Sequence, residues 1–179
     1  MTQISTTPAI INISCYKFVP LDNLSERRDA IRAAAQECDL RGTVLLSREG
    51  INLFVAGSRA AIDAFVGFLR SDPLLSDLQP KESLNQYQPF SRMLVKIKRE
   101  IIAFGHDDVR PAVRTSPKLP AAELRRWLDE GRPVHLLDTR NDYEVQIGTF
   151  RNAVHLNIDH FRQFPEAIQQ LPQTMRDEP

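Results

Sequence analysis

Apolar and polar positions divide the first hundred residues into short elements. Ile10 to Val19 is rich in Ile, Val, Tyr and Phe and predicts a strand. Asp22, Asn23 and Ser25 offer helix-start chemistry. From Leu24 to Glu37, Leu24, Ala30, Ile31, Ala34 and Ala35 approximate a helical stripe. The run RGTVLLSREGINLFVAGS predicts a hairpin, with strands Thr43–Leu46 and Ile51–Val55 and Glu49-Gly50 in the turn. Ser58 caps a second predicted helix, whose apolar face is Ile62, Phe65, Val66 and Leu69 and which ends near Ser71-Asp72-Pro73. After a polar, proline-containing stretch, Arg92 to Ile102 reads as a strand pair or one long strand.

This order of strand, helix, strand, strand, helix, strand is the split βαβ, or ferredoxin-like, arrangement: an antiparallel sheet with both helices on one face. The expected fold is α+β over residues 1–104, then a linker over 105–120, then α/β over 121–179. The linker rests on Pro111, Pro117 and Pro120 and the scarcity of large apolar residues. Beyond it, Leu119 to Glu130 predicts a helix stopped by Gly131, and Val134 to Leu137 a buried parallel strand ending in Asp138. Asp142 to Gln146 predicts a helical turn, Ala153 to Leu156 a short strand, and Asp159 to Leu171 a helix despite Pro165. Only the opening half of an α/β domain is expected here.

Composition narrows the function classes. The 179 residues are 42% hydrophobic and 26% charged, a globular mixture. Lys plus Arg equals Asp plus Glu at 23 each, so nothing global points to nucleic acid, and any RNA contact must come from a local basic patch. Cys15 and Cys38 form no CxxC pair, which argues against a disulfide framework or zinc cluster and for a reducing compartment. The start, MTQISTTPAI, has no signal-peptide pattern, and no apolar run is long enough to span a bilayer. A soluble, cytoplasmic protein without a membrane partner is expected.

Candidate chemistry is sparse. Asp138 and Arg140 follow the predicted parallel strand, at the sheet edge where ligands bind. They read either as a structural ion pair or as support for a reactive group, with Glu144 near the same network and Gly148 permitting a positive-φ turn. Neither cysteine has the setting of a thiolate nucleophile: Cys15 lies mid-strand, and Cys38 lies near a helix C-terminus. Arg92, Lys96, Lys98 and Arg99 are the best basic patch, Lys96 and Lys98 alternating with Val95 and Ile97, and Arg48 and Asn52 flank the hairpin turn. The alternative is a strand edge guarded by lysines. Aromatic residues are only 7%, so composition gives no sign of a base-stacking platform. His106, His135, His155 and His160 show no ligand spacing, and no metal site is expected.

Three segments in order carry a resemblance: GTVLLSREGINLFVAG at Gly42–Gly57, FSRMLVKIKREII at Phe90–Ile102, and LLDTRNDYEVQIGTF at Leu136–Phe150, continued by FRQFP at Phe161–Pro165. Together they resemble the bacterial tRNA uridine hydroxylases. The resemblance implies a rhodanese-like second domain, of which the first part is present. It implies hydroxylation of the wobble uridine at carbon 5, with molecular oxygen and an unidentified reductant as co-substrates and no bound cofactor. It implies the tRNA anticodon arm as partner, leaving the oligomeric state open. The family's cysteine sits in a CxxGxR loop. No cysteine follows Cys38, so no catalytic residue is expected within this chain, and the loop is expected beyond Pro179. Asp138, Arg140 and Glu144 would then support that loop. The alternatives are a rhodanese-type sulfurtransferase and a non-catalytic tRNA-binding module.

Overall fold

The computed structural model describes residues 10–102, 104–105, 109, 113 and 116–177. Residues 10–102 belong to one compact unit and 116–177 to a second. Half of the linker expected over 105–120, with Pro111 and His106, lies outside the described residues.

The first unit runs β1 (Ile10–Phe18), α1 (Leu24–Glu37), β2 (Arg41–Ser47), β3 (Gly50–Gly57), α2 (Arg59–Arg70), β4 (Lys81–Asn85) and β5 (Met93–Ile97). The sheet order is β4-β1-β3-β2-β5, and the first four strands are the expected ferredoxin-like arrangement. Alternation sets the layers. Ile11, Ile13 and Cys15 of β1, Val44 and Leu46 of β2, and Ile51, Leu53 and Val55 of β3 turn to one face and are buried. Against that face pack Ile31 and Ala35 of α1 and Ile62, Phe65, Val66 and Leu69 of α2. Phe65 is fully buried, which contributes about 1.5–3 kcal/mol.

Two features differ from the expectation. The strand that closes the ferredoxin-like order is Lys81–Asn85, paired antiparallel to β1, inside the stretch read as polar connection. It is an edge strand with four of its five residues exposed, so it carries no apolar alternation. Arg59 of α2 holds it in place, its Nη1 and Nη2 donating to Glu82 Oε1 and Oε2 at 3.0 and 2.6 Å. The strand expected over Arg92–Ile102 is shorter, Met93–Ile97, and joins the opposite edge parallel to β2. The sheet is therefore mixed, not antiparallel throughout.

Smaller corrections are local. Asn23 stands at the N-cap of α1 in a left-handed conformation (φ 52°) and its side chain makes no capping hydrogen bond. Ser58 does cap α2, its hydroxyl accepting from the Ala61 amide at 3.2 Å. The hairpin turn is Arg48-Glu49, and Gly50 opens β3 with φ 149°. A Cβ at Gly50 would collide with the Lys17 carbonyl oxygen of the neighbouring strand, so this position admits only glycine.

The second unit holds α3 (Ala121–Asp129), β6 (Leu137–Asp138), α4 (Asp142–Val145), β7 (Val154–His155), α5 (Phe164–Ala167) and α6 (Gln173–Asp177). β6 and β7 pair in parallel. β6 is shorter than the strand expected over Val134–Leu137. The helix expected over Asp159–Leu171 is broken into 3₁₀ turns on either side of α5, where Pro165 sits in the first turn because it cannot donate an amide deeper in a helix. Phe104, Phe161 and Phe164 form an aromatic cluster with ring centroids 5.2–6.1 Å apart.

Gly50→Ala is expected to destabilise the first unit by at least about 1–3 kcal/mol, from forced backbone strain. Gly67→Ala, mid-α2 with open space around its Cβ, is expected to stabilise by about 0.5–1 kcal/mol. Urea midpoints moving in opposite directions check the pair.

Candidate functional site

In the second unit, the chain turns immediately after β6. There the Asp138 carboxylate, with its side chain only 7% exposed, gathers donors from both sides. Arg140 Nε donates to Oδ1 at 2.9 Å and Nη2 to Oδ2 at 2.6 Å, a bidentate pair. The Thr149 hydroxyl donates to Oδ2 at 2.7 Å, and the Arg140 amide to Oδ1 at 3.2 Å. Arg140 Nη2 also donates to the Gly148 carbonyl at 2.7 Å, which clamps the returning segment. Hydrogen bonds from Arg140 and then Thr149 hold the Asp138 carboxyl far below the usual carboxylate range. The same residues line a hollow of about 550 Å³, with Leu136, Thr139, Phe150 and Ala153. Gly148 has φ 156°, as the sequence suggested.

The sequence reading placed Glu144 in this network. Instead, its Oε2 accepts from the Asn141 amide and side chain at 3.2 and 3.1 Å, closing the first turn of α4. Its charge still favours the Arg140 cation. Thr149 was missed. Its only sequence signal is its place after Gly148, where a turn returns the chain towards Asp138. His155 Nδ1 lies 4.0 Å from Asp142 Oδ1, a carboxylate neighbour that the spacing did not reveal. Among the described residues, no group of three His, Cys, Asp or Glu side chains is placed to hold a metal. Cys15 is buried in the sheet core and Cys38 caps the end of α1.

The RNA candidates lie in the first unit. Lys96 pairs with Leu45 and points to the sheet face opposite the helices, and Val95, just before it, is buried on the helix side. Lys98 continues past β5, its amide donating to the Leu46 carbonyl at 2.7 Å. Arg48, Arg92 and Arg99 are exposed. Asn52 differs: it lies on β3, half-buried, and its amide donates to the Ile101 carbonyl at 3.1 Å. That bond commits part of its polar capacity within the chain. β5 is also a sheet edge, so the lysines guard an edge as well as line a face.

A description of the UPF0176 acylphosphatase like domain matches residues 10–101. The chain is 53% identical over 164 residues to the tRNA uridine(34) hydroxylase of Ralstonia nicotianae, covering 89% of this chain and 58% of that protein. It is 50% identical over 174 residues to the enzyme of the same name from Bordetella petrii, covering 94% of this chain and 69% of that protein. The chain thus spans a little over half the length of the first of these relatives. An acylphosphatase from Coxiella burnetii aligns over 54% of this chain and all of its own length, at 17% identity and TM-score 0.35. No helix among the described residues is long and apolar enough to cross a membrane.

Asp138→Asn is expected to lower the melting temperature of the second unit by roughly 4 °C or more, by removing a charged acceptor of four donors. The folded-state pKa is depressed, so this contribution is complete above the unfolded carboxylate pKa of about 4 and fades as pH falls below it. The difference from wild type is expected to hold between pH 7 and 5 and to shrink in stronger acid. Differential scanning calorimetry across that range checks both.

Proposed function

The chain belongs to the tRNA uridine(34) hydroxylase family, and from that membership we propose that its protein adds an oxygen atom at carbon 5 of the tRNA wobble uridine. The reaction turns a C–H bond into C–OH. If one atom of molecular oxygen enters and the other leaves as water, two electrons must come from a reductant.

Within this scheme the second unit is the opening part of a rhodanese-like domain. The observation that carries this reading is the Asp138–Arg140–Thr149 arrangement after β6, in a chain about half identical to the hydroxylases over nearly its whole length. Arg140 and Asp138 cannot act as acid or base near neutrality, because each stabilises the other's charge. Their role is positional. The bidentate pair and the Gly148 clamp fix the walls of the hollow, against which a cysteine-bearing CxxGxR loop is to be supported. Cys15 lies in the sheet core and Cys38 at the end of α1.

The first unit is the tRNA-holding part. Lys96 and Lys98, with Arg92 beside them, supply the row of cations that phosphates require. The partner is the anticodon arm and the setting the cytoplasm.

A full-length version bearing the cysteine loop is expected to restore 5-hydroxyuridine-derived nucleosides to tRNA in a strain lacking the gene, measured by nucleoside mass spectrometry. Thiosulfate-to-cyanide sulfur transfer with no nucleoside change would replace this reading with a sulfurtransferase. In the same assay Arg140→Lys is expected to lose activity at least about tenfold, since lysine cannot keep the two-point contact.

A further inference from the structure

The helix-free face of the first sheet holds a feature that composition conceals. Strand pairing puts Ser14 opposite Phe54, and Tyr16 opposite Asn52, so the two rings occupy diagonal positions on the two adjacent strands β1 and β3. Such positions lie roughly 7–8 Å apart along the sheet. Each side chain is 51% exposed, although both belong to strands whose alternate residues are buried. Phe18 stands edge-on to Tyr16 at 5.8 Å and braces it. Half-buried Leu45, Thr43 and Leu94 make the floor beside the rings.

Charge on this face is one-sided. Its strand positions carry Lys81 on one edge, Arg41 on β2 and Lys96 on the other edge, and no carboxylate. Glu82, the acidic residue of β4, pairs with Ile13 and so belongs to the other face, where Arg59 neutralises it. The whole chain has no net charge, so three cations here mark a local bias. Two aromatic planes on central strands, with cations at both flanks, suit a polyanion that has unstacked flat rings to offer. Duplex RNA does not expose its base faces in this way, and single-stranded loops do.

We propose that Tyr16 and Phe54 form a stacking platform for unpaired RNA bases, with Arg41, Lys81 and Lys96 receiving the flanking phosphates. This rests on the tRNA-binding reading above and adds to it: the bound segment is single-stranded, and stacking contributes alongside charge. The platform recognises base planes without choosing among sequences, so it holds a loop while selection falls elsewhere.

Binding of an eight-nucleotide oligouridine to the full chain, compared with the same strand annealed to oligoadenine, tests the platform. Wild type is expected to prefer the single strand. Phe54→Ala and Tyr16→Ala are each expected to weaken its binding about 5- to 150-fold, the equivalent of one lost stack, with the salt dependence unchanged. Lys96→Ala with Lys98→Ala is expected to lower the salt slope by about 1 per lysine. Phe54→Trp is expected to retain binding and to add fluorescence quenching by oligouridine beyond that of wild type. Urea midpoints equal to wild type show that each variant is folded. If the lysine variant weakens binding while both alanine variants bind like wild type, the platform is overturned and the phosphate-led reading stands. If wild type binds neither single strand nor tRNA, the tRNA-binding reading falls and the platform with it. A change of oligomeric state in Phe54→Ala without loss of RNA affinity assigns the face to a protein contact and also overturns the proposal.

Discussion

Burial of one sheet face beneath α1 and α2 is the constraint on which the first unit depends. A strand has a side-chain period of two, so once Val44, Leu53 and Ile13 enter the core, every neighbour in register is committed to the other side. Shifting β3 by one residue would drive Asn52 and Phe54 into the core and expose Leu53 and Val55. At roughly 1.5–3 kcal/mol for each large apolar side chain, such a slip would consume most of a domain's stability. The same packing that stabilises the unit therefore decides which residues face outward together. Phe54 and Lys96 share a face because Leu53 and Val95 share the opposite one.

The parts of this fold that were legible in sequence are those under that constraint. α1 was read to its final residue, and α2 through its cap and its buried stripe, because Ile62, Phe65, Val66 and Leu69 must meet the sheet. β4 was illegible for the converse reason. Lys81, Glu82, Ser83 and Leu84 are exposed, and their place comes from backbone pairing to β1 and from the Arg59–Glu82 ion pair, neither of which needs an apolar pattern. Met93–Ile97 contains the buried Val95 and looked like the stronger strand, so it was given the closing role that belongs to β4. Both are edge strands, and which edge each occupies is set by tertiary pairing, invisible in local pattern.

At the candidate site, the legible part was local and the missed part was not. Asp138 and Arg140 are two residues apart at a strand end, which suffices to pair them. Thr149 is eleven residues from Asp138 and meets it only because the chain turns at Gly148 and returns through β7. Glu144 reaches Arg140 through its charge and not through a hydrogen bond. Its carboxylate instead satisfies the amide of Asn141 at the start of α4, an orphan donor that the helix itself leaves unpaired. A half-buried amide three residues away is reached with little loss of side-chain freedom, and that local competition decided the geometry.

Net charge and aromatic content mislead for a related reason. Both average over the surface, whereas recognition depends on a few square nanometres of it. A chain with equal numbers of acids and bases can keep carboxylates off the strand positions of one face if its acids are held elsewhere, as Glu82 is by Arg59 and Asp77 by Lys17. Exposed pairs of this kind add little to stability, because solvent screens them. Their larger effect is on the field outside the protein. Each takes up a negative charge on the helix side or the loops, so the cations of the opposite face act with little opposition within a Debye length of about 8 Å. A modest aromatic content is sufficient on the same terms. Two rings brought to adjacent strands by the register of one hairpin and its neighbour present more stacking area to a ligand than many rings dispersed through a core.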